Sequence, residues 1–253
     1  MNDKKQEQYI RQRIIMYCPP AYLTQSKSSI ERYKLFDSVD TRFLCSPQYM
    51  KSTESLLLGM KRQGYALDNG AYLDYINNKV FCDNRFILFC KKYLVCADWV
   101  VLPDVVCNKE ETIKKSYQYI DIIKQIEPNT KMLFVWQDGM ERRDIVPFLK
   151  KGIGVFIGGS TDGKIANMKW LSNLCTEFSV WCHVGRVNTL KRLELCLSSN
   201  INSFDGSGIV RFLPTLRLLS HRMIQEREQL SLFNTHTMNK NLLETWIKTR
   251  ERI

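Results

Sequence analysis

Histidine is scarce in this chain, three in 253 residues, and no serine or cysteine motif stands out as a nucleophilic partner for one. Cysteines paired two residues apart, the usual mark of a zinc site, are absent as well. The nine cysteines are odd in number and irregularly spaced, and no signal-peptide pattern precedes them. That argues against a disulfide framework and predicts free thiols in a reducing cytoplasm. Cys82, Cys90, Cys96 and Cys107 stand mostly in apolar runs and are expected to be buried structural thiols. No apolar run approaches the roughly 18 residues of a membrane span. No G-x-G-x-x-G loop follows an early strand, which counts against a dinucleotide fold. These patterns call for no cofactor and no metal.

What the sequence does have is positive charge and many short β-rich runs. A formal net charge of +11 and a pI near 9.2 predict attraction to a polyanion, nucleic acid ahead of membrane because no amphipathic membrane helix accompanies the charge. At 44% hydrophobic, 253 residues can bury one large core. Eight runs read as strands: 13–18, 42–45, 65–68, 98–104, 131–137, 154–159, 179–185 and 201–206. Several are continuously apolar rather than alternating, as parallel strands covered on both faces are. Helical patterns separate them. Asn108 precedes Glu111 as in a capping box, with Ile113, Tyr117, Ile120 and Ile123 at helical spacing, and Asp162 and Asn188 stand ahead of their own apolar series in the same way. The expected fold is α/β, a (β/α)8 TIM-type barrel in a single domain over 13–222. A polar N-terminal tail (1–12) and a C-terminal helical extension or tail (223–253) flank it.

Asp68, Asp104, Gln137, Gly158, Gly159, His183 and Asp205 all fall at or just beyond the C-terminal ends of these strands, which in a barrel converge on one mouth. Singly, each has an ordinary role in a turn or loop, and His183 reads as a satisfied structural histidine. Jointly they mark a site. Three carboxylates with little histidine leave two alternatives. Asp68, Asp104 and Asp205 could ligate a metal, or a pair could act at a glycosidic carbon, one ionised beside an oxocarbenium-like centre and one as acid for the leaving group.

The stretches ALDNGAY (66–72), VVLPDVV (100–106), FVWQDG (134–139), VFIGGST (155–161), HVGRVNTLKRLELC (183–196) and SFDGSG (203–208) together resemble the phage-type DNA 7-deazaguanine transglycosylases (DpdA), relatives of the tRNA-guanine transglycosylases. The resemblance runs in order from about residue 12 to residue 220. It implies a barrel enzyme that removes guanine from a nucleic acid and installs a 7-deazaguanine base through a covalent glycosyl-enzyme intermediate. It implies Asp205 as nucleophile, Asp68 as general acid/base, and Asp104, Gln137, Gly158 and Gly159 as the residues that hold the base. His183 and Arg186 join the substrate-binding set, Arg186 as a contact to a phosphate or the target sugar. Gly206 and Gly208 would let the sugar-phosphate backbone approach. The tRNA enzymes carry a zinc subdomain beyond the last strand, built from closely spaced cysteines and a histidine. After Asp205 this chain has no cysteine, so no such subdomain is expected and DNA is favoured as partner over tRNA. A tRNA-directed transglycosylase, a nucleoside hydrolase and a catalytically inactive nucleic-acid-binding barrel are the alternatives. QLSLF (229–233) is similar to the motif that docks on the bacterial sliding clamp, with Gln229 at the rim of a pocket that Leu230, Leu232 and Phe233 fill.

Overall fold

The computed structural model describes residues 14–19, 27–49 and 64–229. The N-terminal tail (1–12) and residues 230–253, which include all of the clamp-like pentapeptide but Gln229, lie outside the described residues. Eight parallel strands close into a barrel in sequence order: β1 (Ile15–Cys18), β2 (Arg42–Cys45), β3 (Tyr65–Leu67), β4 (Val100–Val101), β5 (Met132–Trp136), β6 (Gly154–Ile157), β7 (Cys182–Val184) and β8 (Ser203–Asp205). Each lies within a run that the sequence marks as a strand. Helices α1 (Lys27–Val39), α2 (Ala71–Ile76), α3 (Asp83–Tyr93), α4 (Lys109–Ile126), α5 (Arg142–Leu149), α6 (Thr161–Glu177), α7 (Leu190–Leu197), α8 (Ser207–Arg211) and α9 (213–229) follow among the described residues. The chain is a (β/α)8 barrel.

Successive residues of a strand point to opposite faces, and here both faces are covered. Tyr17, Trp99, Val101, Leu133 and Val135 fill the interior, with Phe156 and Trp181 packed against them. Met16, Phe134, Trp136, Val155 and Phe204 belong to the larger outer cluster that the helices share. Apolar residues on both faces are why these strands read as unbroken apolar runs.

Asn108 caps α4 as the sequence predicts, Oδ1 accepting from the Glu111 N–H at 3.0 Å. The other two caps shift. Ser160 rather than Asp162 caps α6, its hydroxyl accepting from the Gly163 N–H at 3.0 Å, and Thr189 rather than Asn188 caps α7. Asn188 is engaged elsewhere: its Oδ1 accepts from the Gly208 N–H at 2.8 Å and ties the loop after β7 to the start of α8. The cysteine expectation holds only for Cys90, which is buried, whereas Cys82, Cys96 and Cys107 are exposed. They lie at the edges of helices and in connections rather than on an inward face. Among the described residues no helix is long and apolar enough to cross a membrane.

Gly154 opens β6 against the Trp181 carbonyl and the Leu133 side chain, and an added Cβ would collide with both. Gly154→Ala is expected to cost about 1–3 kcal/mol, read as a lower urea midpoint with an unchanged slope.

Candidate active site

The C-terminal ends of the strands surround a cavity of about 340 Å3, within the usual range of small-molecule sites. Asp68, Asp104, Gln137, Gly158, Gly159, Arg186 and Asp205 all line it. Asp205 is the last residue of β8, and the others follow the ends of their strands by one to three residues. His183 is the exception: it is fully buried and does not line the cavity. Its place among the substrate-binding residues is therefore corrected to one behind Asp205.

The three carboxylates sit in different surroundings. Asp104, 7% exposed, accepts from Asn69 Nδ2 at 2.8 Å on one oxygen and from Gln137 Nε2 at 2.6 Å on the other. Asn69 is itself locked, donating to the Leu102 carbonyl at 2.8 Å and accepting from the Ala71 N–H at 2.8 Å. Asp68 accepts from Ser46 Oγ at 2.9 Å. Burial pushes Asp68 up to about 6, the Ser46 hydrogen bond opposing it and the charges of Asp205 and Asp104 adding to it. Burial likewise pushes Asp104 up to about 6, against the Asn69 hydrogen bond, the Lys115 charge and the Gln137 hydrogen bond. Asp205 has a nitrogen at each oxygen: His183 Nε2 is 3.1 Å from Oδ2, and the Arg186 amide donates to Oδ1 at 3.2 Å.

Arg186 adopts a left-handed backbone, φ 63°, which a side chain rarely takes without compensation. Compensation comes across the mouth. Its guanidinium donates to the Gly159 carbonyl at 2.7 Å and lies 4.5 Å over the Tyr72 ring. Arg192 braces the loop by donating to the Arg186 carbonyl at 3.0 Å. Lys164, on α6 and only 4% exposed, donates to the Gly185 carbonyl at 2.8 Å and lines the cavity. Burial lowers it to about 8, Arg186 adding to the effect and Asp205 opposing it.

Ser46, Asn69, Tyr72 and Lys164 are the site residues that sequence reasoning missed. Ser46 and Asn69 follow strand ends, so the placement that marks Asp68 extends to them; Lys164 lies inside a helix and carries no such signal. Gly206 and Gly208 do not line the cavity. A Cβ on either would meet Asn188, and on Gly206 also the Val187 carbonyl, so these glycines admit the loop after β7 rather than a substrate. Within the other glycine pair, the Gly158 N–H is bound to the Trp136 carbonyl at 3.1 Å. Gly159 takes φ 69°, where an added Cβ would press on the Asp138 carboxylate. Among the described residues no three His, Cys, Asp or Glu side chains converge as a metal-binding set.

No protein-family model matches the sequence, and no curated protein matches it. Among solved structures the fold is similar to that of tryptophan synthase from M. tuberculosis, with 11% identity, a TM-score of 0.53 and coverage of 86% of this chain and 93% of that one. It is also similar to a protein of Aquifex aeolicus VF5, with 11% identity, a TM-score of 0.52 and coverage of 87% and 93%. KGPDC from Streptococcus mutans matches with 14% identity, a TM-score of 0.49 and coverage of 83% and 98%. At such identities the first two likenesses show the barrel fold and leave the chemistry to the site.

Asp68 and Asp104 titrate near 6 in the folded protein against 3.8 for a free carboxyl. Between those values the folded state holds more protons than the unfolded one, so their contribution lowers stability as pH rises through that window. Asp68→Asn is therefore expected to melt at a higher temperature than the wild type near pH 7, with the gap closing toward pH 4. Thermal melts at the two pH values check it.

Proposed function

We propose that the cavity exchanges guanine in DNA for a 7-deazaguanine base through a covalent link to Asp205, making the protein a DNA guanine transglycosylase. The observation that carries this reading is the division of labour among three carboxylates at one mouth, Asp104 and Asp205 buried and Asp68 half-buried. Asp205 is held by the Arg186 amide at one oxygen and faces the His183 ring nitrogen at the other, which suits a nucleophile. Asp68, near 6, can carry a proton at neutral pH and release it. Asp104 is fixed in plane by two amides and suits an acceptor for a base edge.

The chemistry follows from those roles. Asp205 attacks C1′ of the target nucleotide as the bond from C1′ to the base nitrogen breaks, and protonated Asp68 gives its proton to the departing nitrogen. The incoming base then loses its ring N–H proton to the Asp68 carboxylate while that nitrogen attacks C1′ and the Asp205 ester bond breaks. Proton and electron pair are both restored. A guanine-type edge presents adjacent N–H donors beside a carbonyl oxygen. Asp104 accepts from the donors, while Gln137 and the Gly159 amide, which makes no bond to another described residue, can donate to the oxygen.

The net charge of +11 supports a nucleic-acid substrate, and reaching a paired base requires flipping it from the stack. Many barrels hold a phosphate at the loops after strands 7 and 8 and a short following helix. Here Asn188 already occupies the Gly208 N–H of that helix, which favours a substrate held by its base.

The test is incubation with a DNA oligonucleotide and labelled guanine or 7-deazaguanine, followed by a denaturing gel. Wild type is expected to incorporate label and form a DNA-linked adduct. Asp205→Asn should abolish both, and Asp68→Asn should slow exchange by roughly 10²–10⁴-fold with little change in DNA affinity. Exchange into tRNA but not DNA moves the reading to a tRNA enzyme, base release without incorporation to a hydrolase, and neither to an inactive nucleic-acid-binding barrel.

A further inference from the structure

The strands that flank the nucleophile carry polar side chains where the other strands fill the interior with apolar ones. Trp181 and His183 alternate along the β7 segment, Ser203 and Asp205 along β8, and the register sets His183 opposite Ser203. Alternate inward residues of the two strands therefore interleave into a ladder. Trp181 Nε1 donates to Ser203 Oγ at 2.8 Å, Ser203 Oγ lies 2.8 Å from His183 Nδ1, and His183 Nε2 lies 3.1 Å from Asp205 Oδ2. Ser203 and His183 are fully buried, and neither lines the cavity.

Donor counting assigns the protons. The indole N–H only donates, so Ser203 Oγ accepts there. The Asp205 carboxylate beside Nε2 only accepts, which places the ring hydrogen on Nε2 and leaves Nδ1 to accept the single Ser203 hydrogen. We infer that the ladder is a positioning relay, in which Ser203 fixes His183 as the neutral Nε2–H tautomer so that the imidazole donates to Asp205 and keeps the nucleophile ionised and aimed. The imidazole is held in place by Phe156 stacked at 4.8 Å, Trp99 at 4.8 Å and Tyr17 at 5.8 Å. Burial lowers the His183 pKa, against the hydrogen bond and charge of Asp205 and with the help of Lys164. A neutral chain of aligned dipoles then ends on one carboxylate. The other titratable or charged groups around this pair are Lys164 from α6, Arg186 from the loop after β7, Asp68 after β3, and Cys18 and Tyr17 on β1.

The inference rests on Asp205 as the nucleophile, so its test has one arm independent of activity. Nitrogen-15 NMR of the histidine-labelled protein, with His183 assigned by the signal lost in His183→Gln, should show the neutral Nε2–H tautomer throughout the neutral pH range. An Nδ1–H tautomer or an imidazolium overturns the relay even if exchange is never found, and absent exchange with the expected tautomer sinks the transglycosylase reading instead. The second arm is the pH profile of base exchange. Without the Ser203 hydroxyl, a bare Nε2 can face the carboxylate, which is tolerated only when Asp205 is protonated. Ser203→Ala should therefore raise the acid limb by about one pH unit, a tenfold loss on that side, with the KM for DNA unchanged. His183→Phe should lower kcat by roughly 10²–10³-fold, and His183→Gln, whose amide can donate, should recover part of it. Equal losses in Gln and Phe, or a loss uniform in pH with a raised KM, would assign the ladder to packing alone.

Discussion

The pairing of β8 with β1 is the constraint on which the rest of the molecule depends. It is a short contact, Ile15, Met16 and Tyr17 against Ser203, Phe204 and Asp205, and it closes the ring. Closure fixes the parity of every residue on β8. A slip of one position would turn Asp205 out to the helix layer and bring Phe204 into the mouth. Packing resists the slip from both sides. Phe204 is fully buried in the outer cluster, while Tyr17, the inward partner of Asp205, is pinned from the barrel floor by Asp98, which also binds Arg42.

Parity also explains how one cavity holds carboxylates of different character. Burial raises the cost of ionisation at Asp68 and Asp104, and the donors supplied by neighbouring strands decide how much of that cost is returned. Asp68 has one hydroxyl, the Gly70 backbone amide and two like charges near it; Asp104 has two side-chain amides and a lysine charge. Asp205 faces a side chain of β7, His183, and a backbone amide of the loop after it, Arg186. Environments that separate carboxylates in this way are how a site obtains an acid and a nucleophile from the same residue type.

The barrel was legible in the sequence because both faces of each strand are buried, which writes unbroken apolar runs at regular intervals. Asp68, Asp104, Gln137 and Asp205 were legible because they stand where those runs end. The caps of α6 and α7 were misread for a physical reason. Ser160 and Asp162, like Thr189 and Asn188, are all competent caps, and a tertiary demand, the Gly208 amide that recruits Asn188, takes part in the choice. Trp181 and Ser203 read as ordinary strand residues, since only the register between β7 and β8 reveals that they meet. Lys164 left no signal because its approach to Gly185 joins a helix to a loop some twenty residues away.

The loop from Gly185 to Asn188 concentrates these effects in four residues. The Gly185 carbonyl receives Lys164, the Arg186 amide reaches the Asp205 carboxylate, the Val187 amide binds the Asp205 carbonyl at 2.6 Å, and Asn188 holds Gly208. Such a loop requires one residue in the left-handed region, and glycine would take that conformation without strain. Arginine stands there instead, at a backbone cost on the order of 1–3 kcal/mol. Its guanidinium returns part of that cost through Gly159, in the loop after β6, and Tyr72, in the first turn of α2. Those contacts stretch from β7 to the β3 and β6 sides of the mouth, so the residue whose amide touches Asp205 also reaches the helix that follows the Asp68 loop. A glycine would keep the amide and lose the span, and the span is what gives an arginine at this position its physical rationale.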